Sequence, residues 1–211
     1  MNSNNDKPIK NQKMIILVGP TGAGKSFVHD ILVESGYKNI VSFTTRQQRA
    51  KEIDGRDYIF VSDYQFQVIP LIEEIELNGF KYGIPRFELE YLYYHKKNML
   101  LIVEPNGLHQ ILEYLNENDY AHLDITIVFL NVPIDVRFNN ILKEYKKNNF
   151  PENALKVTLD RLVRGGDDIA ERFKDYYEKL NTSILKEELS DKKINIEKIE
   201  NVQRELSSII N

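Results

Sequence analysis

Residues Gly19 to Ser26, reading GPTGAGKS, constrain this chain more than any other segment, because an apolar run precedes them and a helical pattern follows. Met14 to Val18 (MIILV) is continuously apolar, as expected of a strand buried on both faces. Ser26 to Glu34 reads as a helix that stops near Gly36. The turn between them matches G-x-x-x-x-G-K-[ST] in full. Its glycines let the backbone curl so that successive N–H groups point at phosphate oxygens, and the helix behind aims its positive end at the same place. At average glycine usage, this pattern arises by chance in roughly one chain of this length in a hundred. The strand-turn-helix setting removes most of that ambiguity. Gly19, Pro20, Thr21, Gly22, Ala23, Gly24, Lys25, Ser26 and Phe27 are therefore the candidate nucleotide-binding segment. Lys25 is expected to reach the β- and γ-phosphates, and the Ser26 hydroxyl to complete a magnesium site.

The remaining pattern extends this unit into a layered α/β fold. Residues 99–103 (MLLIV) and 125–130 (ITIVFL) are further core strands, broken by Pro105 and Pro133. Between them, Leu108, Ile111, Leu112 and Leu115 fall on one face of a helix spanning 108–116. Strands alternating with helices predict a parallel, doubly wound sheet. Two stretches break the rhythm. Residues 40–97 are polar, tyrosine-rich and punctuated by glycine, as expected of an inserted substrate-binding region, and residues 143–167 are basic and then glycine-containing, as expected of a helical hairpin or lid. Tyr91 to Tyr94 reads as helix packing, and Lys143 to Asn149 as a solvated helix face. A last strand is expected at 193–196 and a closing helix at 202–210, while the Asn- and Lys-rich first 13 residues read as a frayed tail.

Composition narrows the function classes. No cysteine is present, which removes disulfides, thiolate-bound zinc and thiol catalysis and suits a reducing cytoplasm. The net charge of −4 argues against nucleic acid as a partner. No apolar run approaches the ~20 residues that cross a bilayer, and no signal-peptide pattern opens the chain, so a soluble intracellular protein is expected.

A second anion site is legible downstream. Ser42 to Arg49 (SFTTRQQR) leads into Asp54 to Ser62 (DGRDYIFVS), and then comes Lys81-Tyr82-Gly83. Arg46 and Arg49 stand three residues apart, and Tyr58 and Tyr82 follow. Arginine binds phosphate through paired N–H groups and tyrosine adds a neutral donor, so these four side chains suit an anion clamp. A phosphoryl acceptor that is itself an anion needs such a clamp, since it must approach a second anion.

In these segments the sequence resembles guanylate kinases, which carry a phosphate-binding loop, Ser-x-x-Thr-Arg-x-x-Arg, Gly-x-Asp-Tyr-x-Phe and a Tyr-Gly pair in this order; the likeness covers about residues 14–110 well. It implies an α/β fold of the P-loop NTPase type, a parallel sheet flanked by helices with an inserted nucleoside monophosphate (NMP) region and a helical lid. The single domain of residues 1–211 would divide into a core (14–39, 98–142 and 168–211), the insert (40–97) and the lid (143–167). The likeness also implies that Arg46, Arg49, Tyr58 and Tyr82 hold the acceptor phosphate. Ser42 and Glu73 would address the base, Glu73 accepting from guanine N1–H and N2–H, with Glu74 or Glu76 as substitutes. Glu104 would lie near the base or the metal. Lys25, Arg46, Arg161 and Arg164 would be the catalytic cations, with Mg2+ as cofactor and ATP and an NMP as substrates.

The pattern departs from the family at four points. Ile84 and Pro85 follow Tyr82-Gly83 where a base-contacting hydroxyl is usual, and Ile102 replaces one of two aspartates on the strand ending at Glu104. Ile141 and Tyr145 stand near the positions of the paired lid arginines, leaving Arg137, Lys143, Lys146 and Lys147 as nearby cations. No adenine-contacting Asn-Asp-Asp sequence is recognisable near Ile196. GMP or dGMP is the leading acceptor, with another NMP or ribose 1,5-bisphosphate as alternatives. A module that binds nucleotide or phosphopeptide without turnover is the rival from a different class. A P-loop GTPase lacks support, because no Asn-Lys-x-Asp motif occurs.

Overall fold

The computed structural model describes residues 12–49, 52–77, 79–118, 120, 123–148 and 190–195, together with 155, 156, 158, 159 and 162. In chain order the elements are β1 (Gln12–Val18), α1 (Lys25–Glu34), β2 (Lys38–Asn39), β3 (Phe43–Thr44), β4 (Ile59–Phe60), α2 (Asp63–Val68) and β5 (Leu71–Leu77). There follow β6 (Phe80–Pro85), α3 (Arg86–Tyr94), β7 (Met99–Val103), α4 (Pro105–Glu117), β8 (Leu123–Asn131), α5 (Ile134–Asn148) and β9 (Ser190–Asn195).

Five strands form a parallel sheet in the order β2-β7-β1-β8-β9. The MIILV run sits centrally because both of its faces are covered. Met14, Ile16 and Val18 join one apolar cluster with Leu108, Ile111, Leu112 and Leu115 of α4. Ile15 and Leu17 join the other with Val28 and Leu32 of α1. Alternate side chains of a strand leave opposite faces, so a strand between two helical layers must be apolar throughout. At roughly 1.5–3 kcal/mol for each large apolar side chain fully buried, these layers hold the sheet together.

The second sheet, β4-β3-β6-β5, is made by residues 43–85. β5 and β6 form an antiparallel hairpin, β3 pairs antiparallel with β6, and β4 pairs parallel with β3. Ser62 and Gln65 close a capping box at the start of α2, since each side chain satisfies the other's backbone N–H at a helix end.

The strand expected at 99–103 recurs with the same bounds, and the strands at 14–18 and 125–130 and the helices at 26–34 and 108–116 recur with ends extended by one to three residues. α5 runs unbroken from Ile134 to Asn148, so the basic segment expected to open the lid at 143 continues the same helix, with Lys143, Lys146 and Lys147 exposed. The Tyr91–Tyr94 stretch is only partly packing. Leu92 is buried and Tyr93 stacks edge-on to Tyr120 at 4.6 Å, whereas Tyr91 and Tyr94 are exposed. The last strand begins earlier than expected, at Ser190, and the helix expected at 202–210 lies outside the described residues.

Candidate functional site

The site begins where two neighbouring parallel strands end. Val18 of β1 pairs with Val103 of β7, so the loop that starts at Gly19 emerges beside Glu104. Crevices at the carboxyl ends of parallel strands are where open α/β sheets bind ligands. Gly22 (φ 79°) and Gly24 (φ 87°) take the left-handed conformation, which a side chain would resist, and this turns the loop into α1. At Gly22 an added Cβ would also lie 2.8 Å from the Arg137 carbonyl oxygen, so α5 sits directly against the loop. Asn140 Nδ2 donates to the Gly22 carbonyl at 3.0 Å, fixing it from outside. No acidic side chain occupies the first turn of α1, so the positive end of that helix faces the loop uncompensated.

Lys25 Nζ donates to the carbonyls of Gly19 and Pro20, at the rim of the cradle. Burial pushes its pKa below the ordinary lysine range; Glu104 opposes the shift, and the charge of Arg137 adds to it. Thr21 is half-buried and Ala23 buried, while Ser26 and Phe27 are exposed on the first turn of α1.

The second sheet assembles the other half. Thr44 pairs with Tyr82 across β3 and β6, and Phe43 pairs with Ile59 across β3 and β4. Three segments distant in sequence thus bring Arg46, Tyr58 and Tyr82 together. The Arg46 guanidinium carbon lies 5.3 Å from the centre of the Tyr58 ring, and the two tyrosine rings meet edge-on at 5.7 Å. Thr44 Oγ1 accepts the Arg46 backbone N–H and donates to the Lys81 carbonyl, clipping the arginine loop to β6. Burial and the neighbouring Tyr82 push the Tyr58 phenol up, so it stays a neutral donor. Arg49 is exposed at the edge of this group, and Ser42 is half-buried beside it with its carbonyl accepting from Ile59 N–H.

Glu73 lies on β5 and is 4% exposed, whereas Glu74 is exposed with its backbone joined to Gln110 of α4 by two hydrogen bonds of 3.0 Å. Gly107 makes room for the Glu73 carboxyl: an added Cβ there would come within 2.2 Å of Glu73 Oε1. Burial, with Glu104 and then Glu74 nearby, pushes Glu73 up to about 8. Glu104 therefore acts electrostatically on both the loop lysine and the buried carboxyl, and stands between the two halves.

Of the residues singled out in the sequence, the loop, Glu104, Glu73, Arg46, Tyr58 and Tyr82 line this one region. Ile84 is 1% exposed, sits opposite Glu73 in the hairpin and belongs to the apolar cluster, so it offers only hydrocarbon. Ile102 likewise packs on the α1 side of the sheet. Arg161 and Arg164 lie outside the described residues. The sequence reading missed Glu52, which forms a paired salt bridge with Arg46, and Gly107. The one signal for Glu52 was its place three residues after Arg49, the first carboxylate to follow the arginine pair.

Comparison with known proteins gives a consistent picture. The family profile described as guanylate kinase matches residues 11–211. A guanylate kinase of Malacoplasma penetrans is 36% identical over 121 residues, covering 54% of this chain and 62% of that protein. One from Mycoplasma mycoides subsp. mycoides is 31% identical over 162 residues, covering 74% and 52%. One from Mycoplasma mobile is 30% identical over 190 residues, covering 76% and 92%. The match thus spans only about half to three-fifths of the length of the first two relatives. Among solved structures, a crystal structure of guanylate kinase from Anaplasma phagocytophilum superposes with a TM-score of 0.61 at 22% identity, covering 94% of this chain and 84% of that one. At that identity the likeness speaks for the fold, a P-loop NTPase sheet flanked by helices.

Proposed function

The chain belongs to the guanylate kinase family, and on that premise we propose that it transfers the γ-phosphoryl group of ATP to a nucleoside monophosphate, GMP or dGMP. One observation carries the reading. Two anion-binding arrangements of opposite origin, a backbone cradle with Lys25 and a side-chain clamp with Arg46, Tyr58 and Tyr82, flank a buried carboxyl at Glu73. A nucleotide donor needs the first, an acceptor phosphate the second, and the donor edge of guanine the third.

The roles follow from the chemistry of each group. In-line phosphoryl transfer needs no covalent intermediate, only positioning and charge neutralisation. The loop Gly19–Ser26 holds the donor phosphates, with Phe27 on the turn behind. Lys25, now on two carbonyls, turns to the β- and γ-oxygens, which replace those carbonyls as its acceptors. Arg46, Arg49, Tyr58 and Tyr82 orient the acceptor oxygen. Glu73, once ionised, accepts from guanine N1–H and N2–H, and Ser42 adds a contact to the base. Glu104 keeps Lys25 charged despite its burial. Arg161 and Arg164 supply lid cations on closure of segment 143–167 over the core and the insert at 40–97, excluding water from the transfer.

Magnesium fits the residues present. Among the described residues no cluster of three His, Asp or Glu side chains suits a metal on its own, whereas the exposed Ser26 hydroxyl is a free donor at the loop. Ser26 is then the protein ligand of a metal that arrives with the nucleotide, whose chemistry is to neutralise charge on the phosphate oxygens. No helix among the described residues is long and apolar enough to cross a membrane; the cytoplasm, with its ATP and GMP, is the compartment this reading requires.

The test is ADP release from Mg-ATP with GMP, dGMP, AMP, CMP, UMP, dTMP and ribose 1,5-bisphosphate in turn. Turnover with GMP or dGMP is expected. Turnover only with another acceptor would move the specificity, which the apolar Ile84 beside Glu73 makes the most exposed part of the reading. Nucleotide binding with no turnover on any acceptor would instead indicate a binding module.

A further inference from the structure

We propose that Glu52 is a positioning residue for the acceptor-phosphate clamp: it holds the two terminal nitrogens of Arg46 so that the buried Nε–H is kept for the incoming phosphate. The inference rests on the proposed acceptor site and adds to it a residue that does not itself touch substrate.

The geometry is a paired ion bridge. Arg46 Nη1 donates to Glu52 Oε2 at 2.9 Å and Nη2 to Oε1 at 2.8 Å. Nη1 also donates to the Gln47 carbonyl at 2.7 Å, and the nearby Tyr82 hydroxyl helps to hold the guanidinium charged. Of the guanidinium nitrogens, Nε alone has no hydrogen-bond partner among the described residues, and it is buried. A buried cation with an unused N–H is costly unless a ligand supplies the acceptor. The Arg46 side chain is 8% exposed, and the flat faces of Tyr58 and Phe60, with centroids at 5.3 and 5.6 Å, restrict its guanidinium further.

Glu52 also reaches the second arginine. Its Oε2 accepts the backbone N–H of Arg49 at 2.8 Å, and Arg49 Nη1 lies 3.8 Å from Oε1. One carboxylate therefore sets the spacing of both arginines. Burial alone would raise the Glu52 pKa, but the hydrogen bonds from Arg46 and from Arg49 N–H overcome it and hold the carboxyl below its ordinary range. It remains an anion at neutral pH. The loop around it is tied down separately. Asp57 accepts the Ile53 N–H at 2.8 Å, Asp54 accepts the Phe60 N–H at 3.0 Å, and Gln48 donates to the Glu52 carbonyl.

Two effects of opposite sign compete at Glu52. Its negative charge repels an incoming phosphate, which would make it a plug. Without it, however, a buried arginine loses its only charged partner among the described residues, and the clamp loses its spacing. The paired geometry and the unused Nε favour the second effect, because Glu52 takes up the two terminal nitrogens and leaves the buried Nε–H without an acceptor.

The experiment is calorimetric binding of GMP and guanosine to the wild type, E52Q and E52D, with ATP as a control for folding. For E52Q, GMP is expected to bind at least tenfold more weakly, with guanosine and ATP within twofold of wild type. For E52D, which keeps the charge on a shorter arm, the GMP loss should be smaller. In an R46A background, E52Q should add less than twofold. Equal or tighter GMP binding by E52Q would overturn the proposal and make Glu52 a plug or a bystander. Parallel loss of GMP and guanosine, or full additivity with R46A, would also overturn it, leaving only a structural role. If the wild type prefers another monophosphate, the same ratio taken against its nucleoside tests Glu52, and only the guanine part of the proposed function falls. If no monophosphate gains over its nucleoside in the wild type, both readings fall.

Discussion

Replacing Glu73 by glutamine removes one buried ionisable group, and the pH dependence of stability reports what that group does. The folded protein holds this carboxyl at about 8, against an ordinary value of 4.5, through burial and then the charges of Glu104 and Glu74. Below pH 4.5 the group is protonated whether the chain is folded or not, and its contribution is nil. Between 4.5 and about 8 the folded protein keeps a proton that the unfolded chain has released, so stability falls as pH rises; above 8 the loss is complete. At about 1.4 kcal/mol for each pH unit, the whole span amounts to about 5 kcal/mol, of which about 2 kcal/mol falls between pH 6 and 8, the group being half ionised at 8. For a chain of this length that is about 4–8 °C in melting temperature. Thermal unfolding of the wild type and Glu73→Gln at intervals from pH 6 to 9 measures it. The wild-type melting temperature should fall by that much relative to the variant and level off above pH 8. The amide contributes equally at every pH, so only the difference in slope matters. Parallel curves would refute the reasoning, because a carboxyl that ionises normally in the folded state is not desolvated as its 4% exposure requires.

The same carboxyl must ionise to accept two N–H groups from guanine, so the KM for GMP should fall as pH rises from 6 to 8, by up to tenfold per unit, while the KM for ATP stays flat. Gly107→Ala puts a methyl group onto the Glu73 carboxyl; GMP binding should weaken at least tenfold, despite the roughly 1 kcal/mol that alanine normally adds to a helix over glycine. Lys25→Ala should reduce kcat by about a thousandfold or more, since the γ-phosphate loses its cation; its ATP affinity and turnover are read in one coupled assay. Arg46→Ala should raise the KM for the acceptor with little change for ATP, and unchanged acceptor kinetics would remove Arg46 from the clamp. Leu101→Ala, at the centre of β7, should cost about 2–5 kcal/mol in denaturant unfolding without altering either KM.

Ile84 raises a separate point about specificity. It faces Glu73 across the hairpin and is sealed into the apolar cluster. The hydrocarbon there helps desolvate the carboxyl, whose raised pKa is mainly an effect of burial. A hydroxyl at position 84 would do the opposite, by offering the carboxylate a donor. The loss of that donor and the shift of Glu73 are thus two aspects of one arrangement. If Glu73 reads the base as proposed, base recognition should depend on pH more than in a site with a hydroxyl at this place.

The sequence by itself determined the parts whose physics is local. The loop from Gly19 to Ser26 needs left-handed glycines and a following helix, and both are written in consecutive residues. The strands at 14–18, 99–103 and 125–130 are continuously apolar because both faces are covered, which a run of five or six residues already declares. The helix at 108–116 announced itself by apolar spacing. Tertiary structure decided the rest, because the proposed acceptor side is built by pairing between distant segments. Residues 43–44, 59–60 and 80–85 are too short or too mixed to declare themselves as strands, and only their pairing brings Arg46 to Tyr58 and Tyr82. Glu73 differs from Glu74 and Glu76 only in which face of β5 it leaves and in the space left by Gly107 on a helix more than thirty residues away. Glu52 looked like one more charge in a polar loop, and its role required the Arg46 side chain to be buried against aromatic faces. Burial and long-range pairing are properties of the folded chain, and they turned ordinary glutamates into the two most constrained groups of this site.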